Sequence, residues 1–452
     1  MAEKPPTTPG SDTIAAVATA PGRGGIGVVR ISGHGLLPLA EALSGKSPQP
    51  RVAMRTDFLA DDGSVIDTGL LLYFPAPRSF TGEDVVELHG HGGNVILHML
   101  LARCLDLGAR LAEPGEFTRR AYLNGKLDLA QAEAVIDLVD AMTAAAAKGA
   151  IRSLRGEFSA EICKLRDQLV ELRTLVEAAL DFPDEEIELP RATEIREWLE
   201  RLQAKTAEIA SRAQQGRLLQ SGLSVVIAGR PNVGKSSLLN RLADDELAIV
   251  TPLAGTTRDA IRITLQIEGV PLRVVDTAGL RDAFDEIERI GIERAWREIE
   301  NADIVLLLVD AREGVREADE AILARLPAGS KRIIAHNKID LTERLPEWHE
   351  DGSGSAIWLS ARTGDGIDLL QRELLRIAGW HPDEPAFIAR ERHLRALART
   401  LECLQAAHAH PGSPELLAEE LRLAQRSLGA ITGEISSDDL LGEIFGRFCI
   451  GK

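Results

Sequence analysis

Residues Gly229–Ser236 read GRPNVGKS and satisfy the spacing G-x-x-x-x-G-K-[ST]. The glycines free backbone N–H groups to curl around phosphate oxygens, at the start of a helix whose positive end already favours anions. Lys235 reaches the outer phosphates, and Ser236 offers its hydroxyl to Mg²⁺. Asn232, Val233, Gly234, Lys235, Ser236 and Ser237 are thus a candidate cradle for the phosphate tail of a nucleotide. Three more motifs follow in order. Asp276-Thr277-Ala278-Gly279 ends a strand-like run, where the Asp can hold Mg²⁺ through water and the Gly N–H can sense the last phosphate. Asn337-Lys338-Ile339-Asp340 ends another. The Asp340 carboxylate can accept from guanine N1–H and the exocyclic amine but would meet an acceptor in adenine, so it selects GTP. Ser360-Ala361-Arg362 follows the last run and can close over the base.

These four motifs, at the ends of successive strands, resemble the Ras-like, translation-factor class of GTPases. Two details bear on hydrolysis. Leu280 follows DTAG, where Ras-like switches place a water-orienting Gln, and a leucine cannot orient water by hydrogen bonding. That role must move elsewhere. Glu288 is a candidate base acting through a bridging water; a solvated carboxylate on a helix face is the commoner use of such a residue, and both readings stay open. Asn232, inside the phosphate loop, can hold a monovalent cation by its amide oxygen, where an arginine finger otherwise offsets developing charge. Thr251–Asp259 (TPLAGTTRD) supplies a Thr for Mg²⁺, with Thr257 preferred, and backbone carbonyls able to complete a cation cage.

Motifs spaced this way need a sheet to carry them. Between about Leu223 and Gly379 the short apolar runs LSVVIAG, PLRVVD, IVLLLVD, RIIAHNK and AIWLS alternate with helical stretches. That texture predicts a mostly parallel sheet covered on both faces. Residues 1–117 are richer in Gly, Pro and β-type runs such as Ile26–Ile31 and Leu70–Phe74, which predicts an α+β domain. No proline occurs between Pro114 and Pro183. Ile162, Leu165, Leu169, Leu172 and Val176 form one stripe of a long amphipathic helix, and Ile195, Leu199, Leu202, Thr206 and Ile209 another. Helical texture returns from Arg390 to Leu428. The simplest topology is an α/β domain inserted into a helical one, although two separate bundles also fit.

The chain has 452 residues, enough for two to four domains. Hydrophobic residues make up 44% and charged residues 27%, which excludes a disordered chain. With Lys plus Arg at 52 and Asp plus Glu at 69, the net charge is −17, which argues against broad, sequence-blind nucleic-acid binding. A local basic groove, or a partner that carries the charge, stays open. The four cysteines, with no CxxC pair, fit a reducing cytoplasm and argue against zinc. MAEKPPTTPG has no apolar signal core, and no run is long enough to span a membrane. Gly22, Gly24 and Gly27 spell GxGxxG, but Val28–Ile31 after it reads as a strand rather than a helix, so the glycines shape a turn or a close approach to a ligand and not a dinucleotide site. Thr81–Asn94 (TGEDVVELHGHGGN) is dense in Glu and His; an ordinary strand-to-loop junction is preferred there over a metal site.

GRPNVGKSS, AGTTRD, DTAGLR, IGIERAW and the terminal CIGK, with the N-terminal APGRGGIGVVRISG, RSFTGEDVVELHGHGG and LNGKLDLAQAEA, resemble the MnmE/TrmE family of tRNA uridine modification GTPases along nearly the whole chain. The resemblance implies a multidomain α/β and α+β fold. Residues 1–118 would be a tetrahydrofolate-binding-like and dimerisation domain, 119–218 with 378–452 a helical domain, and 219–377 an inserted Ras-like P-loop GTPase domain. By motif, Arg30, Glu87, Lys126 and Lys452 would line a pocket for a 5-formyl- or methylene-tetrahydrofolate; read singly, each is a surface charge. Asn232, Thr251, Leu253 and Thr256 would hold K⁺, and Glu288 would be the catalytic glutamate. Cys449 would lie near the folate pocket, where a thiolate could add to carbon six of a pyrimidine; a structural thiol is the alternative, and Gly451 and Lys452 make a poor prenylation end. The family further implies a homodimer and a heterotetramer with the FAD-dependent MnmG (GidA). Together they would install a (carboxymethyl)aminomethyl group at carbon five of the wobble uridine of tRNA. The rivals are an Era-like ribosome-assembly GTPase without modification chemistry and a non-enzymatic switch. No KH-type GXXG loop supports the first, and the folate-like motifs have no place in the second.

Overall fold

The computed structural model describes residues 12–181, 191–245, 262–276, 296, 299–327, 330–351, 354–381, 386–410, 413–434, 438–446 and 448–451. Thr251, Leu253, Thr256, Thr257, Thr277, Ala278, Gly279, Leu280, Glu288 and Lys452 lie outside the described residues, and Asp276 is described only as the end of a strand. The chain divides into Met1–Ile136, Leu154–Val170 and Arg422–Lys452 as one unit, and Asp137–Ser153 and Glu171–Leu421 as the other.

In the first unit, alternation of apolar and polar residues builds a sheet with two unlike faces. Its strands are β1 (Ile14–Val17), β2 (Gly24–Gly33), β3 (Met54–Leu59), β4 (Val65–Phe74), β5 (Asp84–Gly92) and β6 (Arg110–Leu111). They lie in the order β3-β4-β5-β2-β1-β6, antiparallel except for the β1–β6 pair. Val29, Ile31, Val86 and Leu88 face helices α1 (Leu37–Ser44) and α2 (Asn94–Asp106) in one apolar cluster. GxGxxG is no nucleotide turn, because Gly24 and Gly27 sit inside β2. A Cβ on Gly27 would come within 2.6 Å of Leu97 Cδ1, so the close approach this glycine serves is to α2, where the sequence had suggested a ligand.

The opposite face is covered by α3 (Glu116–Leu123), whose Phe117 packs with Ile14 and Ala16. Here charge is buried. Arg120 is 3% exposed and bonds the equally buried Glu83 at 3.0 Å, Glu116 at 2.9 Å and Asp12 at 2.9 Å. Arg110 adds a second guanidinium to Glu116 at 2.6 Å, and the Ser32 hydroxyl donates to Glu83 at 2.8 Å. The C-terminal helix Asp438–Gly446 and Phe448 pack on Leu129, Ala132 and Ile136. Gly115, in the left-handed region at φ 68°, admits this tail: a Cβ there would lie 2.6 Å from Phe445 O.

The second unit holds the sheet foreseen from the apolar runs. Strands β7 (Leu223–Ala228), β9 (Val270–Asp276), β10 (Ile304–Asp310), β11 (Lys331–Asn337) and β13 (Gly354–Trp358) are parallel. Every residue of β10 is buried, as expected of a central strand covered on both faces. Two edge strands were not foreseen: β8 (Arg262–Ile267) and β12 (Glu347–Asp351) pair antiparallel to β9 and β13. The order is β12-β13-β11-β10-β7-β9-β8. Helices α4 (Leu129–Val139) and α6 (Glu157–Asp181) each begin in the first unit and end in the second, while α5 (Ala144–Leu154) and α7 (Ala192–Ser221) fall in the second but for Leu154; α6 and α7 carry the two predicted stripes. All five residues of each stripe are buried, and Thr206, the polar member, returns its hydroxyl to Leu202 O at 2.7 Å. The helical stretch expected over 390–428 is two helices, Glu391–Ala409 and Pro414–Thr432, because a proline suits only a helix's first turn.

Arg120→Ala would leave Glu83 buried without its cation and is expected to cost about 3–5 kcal/mol in denaturant unfolding. Burial alone would lift the carboxyls of Glu116 and Asp12, but the guanidiniums of Arg110 and Arg120 outweigh it and hold both below the usual carboxylate range. A depressed carboxyl stabilises fully above its unfolded pKa and loses that contribution as pH falls through the folded value. Repeating the unfolding in acid should therefore narrow the gap between variant and wild type.

Candidate nucleotide site

β7 runs into Gly229, and the helix α8 (Lys235–Asp245) begins directly after Gly234, so the loop between strand and helix is the predicted cradle. Its backbone is left-handed at Gly234 (φ 103°) and at Asn232 (φ 61°), a region asparagine tolerates better than most residues. A Cβ on Gly229 would overlap Leu308 O, and one on Gly234 would overlap Asn337 Nδ2. Only bare backbone fits both places. Lys235 Nζ donates to Gly229 O at 2.8 Å and Arg230 O at 3.1 Å, which holds the amine over its own loop. Ser236 and Ser237 are exposed in the first turn of α8 and Val233 is buried beneath.

Asn337 ties this loop to the Ser360–Arg362 segment. Its Nδ2 donates to Val233 O at 2.7 Å, and its Oδ1 accepts from Ala361 N at 2.9 Å. Lys338, left-handed at φ 72°, donates from Nζ to Asn232 O at 2.6 Å and to Asp310 Oδ2 at 2.9 Å. The Ser360 hydroxyl donates to one oxygen of Asp340 at 2.7 Å, which orients the carboxylate. Arg241 of α8 donates to Ala361 O at 3.3 Å and to Arg362 O at 2.6 Å. Of the predicted nucleotide residues, the structure thus brings together the cradle, Asn337, Lys338, Asp340, Ser360, Ala361 and Arg362.

Asp310 and Arg241 were missed by sequence reasoning. Asp310 ends β10 directly opposite Asn337 in the β10–β11 register. Hydrogen bonding from Arg312, and then from Lys338, holds its carboxyl well below the usual range against the opposing effect of burial. The only sequence signal was a carboxylate closing an all-apolar strand.

In the first unit, Arg30 and Glu87 face one another across β2 and β5. Arg30 Nε donates to Glu87 Oε1 at 3.0 Å, and His89 Nε2 lies 3.1 Å from Oε2. The Arg30 guanidinium stands 5.8 Å from the rings of both Phe80 and Phe117. Lys126 Nζ donates to Pro77 O at 3.1 Å. Cys449 is exposed, and its carbonyl accepts from Gly115 N at 3.5 Å. Gly451 stands against Val17 O, so the tail is seated at the end of β1. Among the described residues no cluster of three or more His, Cys, Asp and Glu is placed to hold a metal ion.

A family model described as the GTP-binding protein TrmE N-terminus matches residues 13–126. A second, described as the MnmE helical domain, matches residues 129–449. The chain belongs to the MnmE family. The protein named tRNA modification GTPase MnmE in Dechloromonas aromatica (strain RCB) is 67% identical over 447 residues, 98% of this chain and 100% of that relative. Its namesake in Azoarcus sp. (strain BH72) is 60% identical over 461 residues, covering 100% of both. A solved variant of Aquifex aeolicus Era bound to GDP.AlF4- is 26% identical, over 40% of this chain and 67% of that one, at a TM-score of 0.29. Family membership agrees with the multidomain α/β and α+β fold described above.

Asn337→Ala removes two buried hydrogen bonds and leaves Val233 O and Ala361 N without their partner. At about 1–3 kcal/mol for each stranded group, GTP binding is expected to weaken at least about tenfold, read by titration with a fluorescent guanine nucleotide.

Proposed function

We propose that this chain is a GTP-hydrolysing enzyme whose cycle serves the modification of tRNA. The observation that carries this is the pair of hydrogen bonds by which Asn337 joins the phosphate cradle to the base-closing loop, with Asp340 oriented beside it by Ser360. Asp340 pairs with the guanine edge, Lys235 neutralises outer phosphate oxygens, and the bare backbone at Gly229 and Gly234 lets N–H groups approach the phosphate tail. Ser236, Thr257 and Asp276 would hold Mg²⁺, with Thr277, Ala278 and Gly279 beside the last phosphate. Asn232, Thr251, Leu253 and Thr256 would hold K⁺, which supplies positive charge where phosphate charge develops. Glu288 is the base acting on water.

The finer chemistry is part of the same reading. A homodimer works in a heterotetramer with the FAD-dependent MnmG (GidA) in the cytoplasm, and the pair installs the (carboxymethyl)aminomethyl group at carbon five of the wobble uridine. Residues 1–118 form the folate and dimerisation domain, 119–218 with 378–452 the helical domain, and 219–377 the GTPase domain. The Arg30–Glu87 pair suits a folate derivative: both side chains are only partly exposed, at 25% and 17%, and the Arg30 guanidinium stands near two aromatic rings. Glu87 can accept from a pterin edge, while Arg30, Lys126 and Lys452 attract carboxylates. Cys449 is accessible for a thiolate role. No described helix is long and apolar enough to cross a membrane.

Turnover of GTP should be faster in K⁺ than in Na⁺ at equal ionic strength; equal rates would remove the cation role of Asn232. The decisive experiment is nucleoside analysis of tRNA from a strain lacking the protein. Unmodified wobble uridine is the expected outcome, whereas a normal profile with defective ribosomes would favour the Era-like reading.

A further inference from the structure

Strands β8 and β9 form a hairpin whose turn, Glu268-Gly269, is left-handed at both positions, with φ 48° and 84°. In sequence, β8 follows the Thr251–Asp259 run and β9 leads into Asp276-Thr277-Ala278-Gly279. Those are the two stretches assigned above to the metal ions and the last phosphate. Any change they undergo with the state of the nucleotide acts on the two ends of one hairpin.

The turn of this hairpin is gripped by α5. The Thr143 hydroxyl donates to Gly269 O at 2.7 Å and accepts from Ala146 N at 3.1 Å. One buried hydroxyl therefore caps the helix and holds the turn. A Cβ on Gly269 would lie 2.8 Å from Ala145 Cβ, so the two backbones meet with no room for a side chain. Ala146 and Ala150 of α5 share an apolar cluster with Ile267 and Val270 of the hairpin. The far end of α5 is held as firmly. Ser153 Oγ donates to Ile388 O at 3.1 Å and Arg152 Nη1 to Ala386 O at 3.2 Å. A Cβ on Gly149 would touch Ile388 Cδ1 at 3.3 Å. Residues 386–390 lead directly into the helix Glu391–Ala409.

We propose that α5 is the lever by which the nucleotide site moves the helical part of the chain, and that Thr143 is the positioning residue that couples it to the hairpin. This rests on the GTP reading above. The hairpin is paired over six residues of each strand, and α5 is hydrogen-bonded at both ends, so a displacement of the turn is passed along the helix to residues 386–390 rather than absorbed.

The test is hydrogen exchange at the α5 amides of the full chain, loaded with GDP or with GTPγS in Mg²⁺ and K⁺. Wild type and Thr143→Ser, which keeps the hydroxyl, are expected to show a several-fold difference in α5 exchange between the two nucleotides. Thr143→Val keeps the shape without the donor, and Gly269→Ala forces the turn away from Ala145; both should abolish the difference. Loss of the helix cap alone would speed exchange equally with both nucleotides and leave the difference in place. The proposal is overturned if wild type shows no difference, or if both Thr143→Val and Gly269→Ala retain it. Failure of the wild type to retain guanine nucleotide would sink the GTP reading as well, while retention without an α5 response sinks the lever alone.

Discussion

The side-chain amide of Asn337 sits where three loops meet, and their geometry depends on it. Its nitrogen is committed to Val233 O and its oxygen to Ala361 N, both away from solvent. A buried amide with both halves satisfied couples its partners, so the Gly229–Gly234 loop and the Ser360–Arg362 segment do not shift independently. Gly234 lies under the same amide with no space for a Cβ. Lys338 extends the tie to Asn232 O and Asp310. The parallel register makes this possible, because it sets Asp310 beside Asn337 and His336 beside Trp358 at the same end of the sheet.

The interior of this sheet was legible as apolar runs because its strands are covered on both faces. The edges were not. β8 reads RITLQI and β12 reads EWHED, and neither is apolar enough to stand out against a loop. Motif spacing named Asp340 as the guanine reader, since that role follows from the chemistry of one carboxylate. It could not show Asn337 as the tie, because both of its partners are backbone atoms more than twenty positions away in sequence. In the N-terminal domain Arg30 and Glu87 read singly as surface charges, and only family resemblance joined them; the β2–β5 register then sets them opposite one another. The buried cluster around Arg120 had no signal at all, for a charge run looks the same whether it faces water or closes on itself.

The cysteines show how burial sorts identical side chains. Cys104, packed among the apolar residues of α2, has its thiol pushed up to about 12 by burial and carries no thiolate at neutral pH. Cys449 is exposed, on a segment anchored by Phe448 on one side and Gly451 on the other. A reactive role needs such a combination of accessibility and a fixed position.

The outer strand β12 has a consequence for how the molecule behaves in company. A free sheet edge is a template on which another chain can add a strand, and proteins discourage this with short, charged edges. β12 spans only five residues, three of them acidic. Glu350 is held by Arg376 at 2.9 Å and Glu347 stands 3.6 Å from Arg344. Strand-by-strand growth from this rim would have to bury those carboxylates, so the rim protects the protein against runaway stacking and leaves assembly to other surfaces.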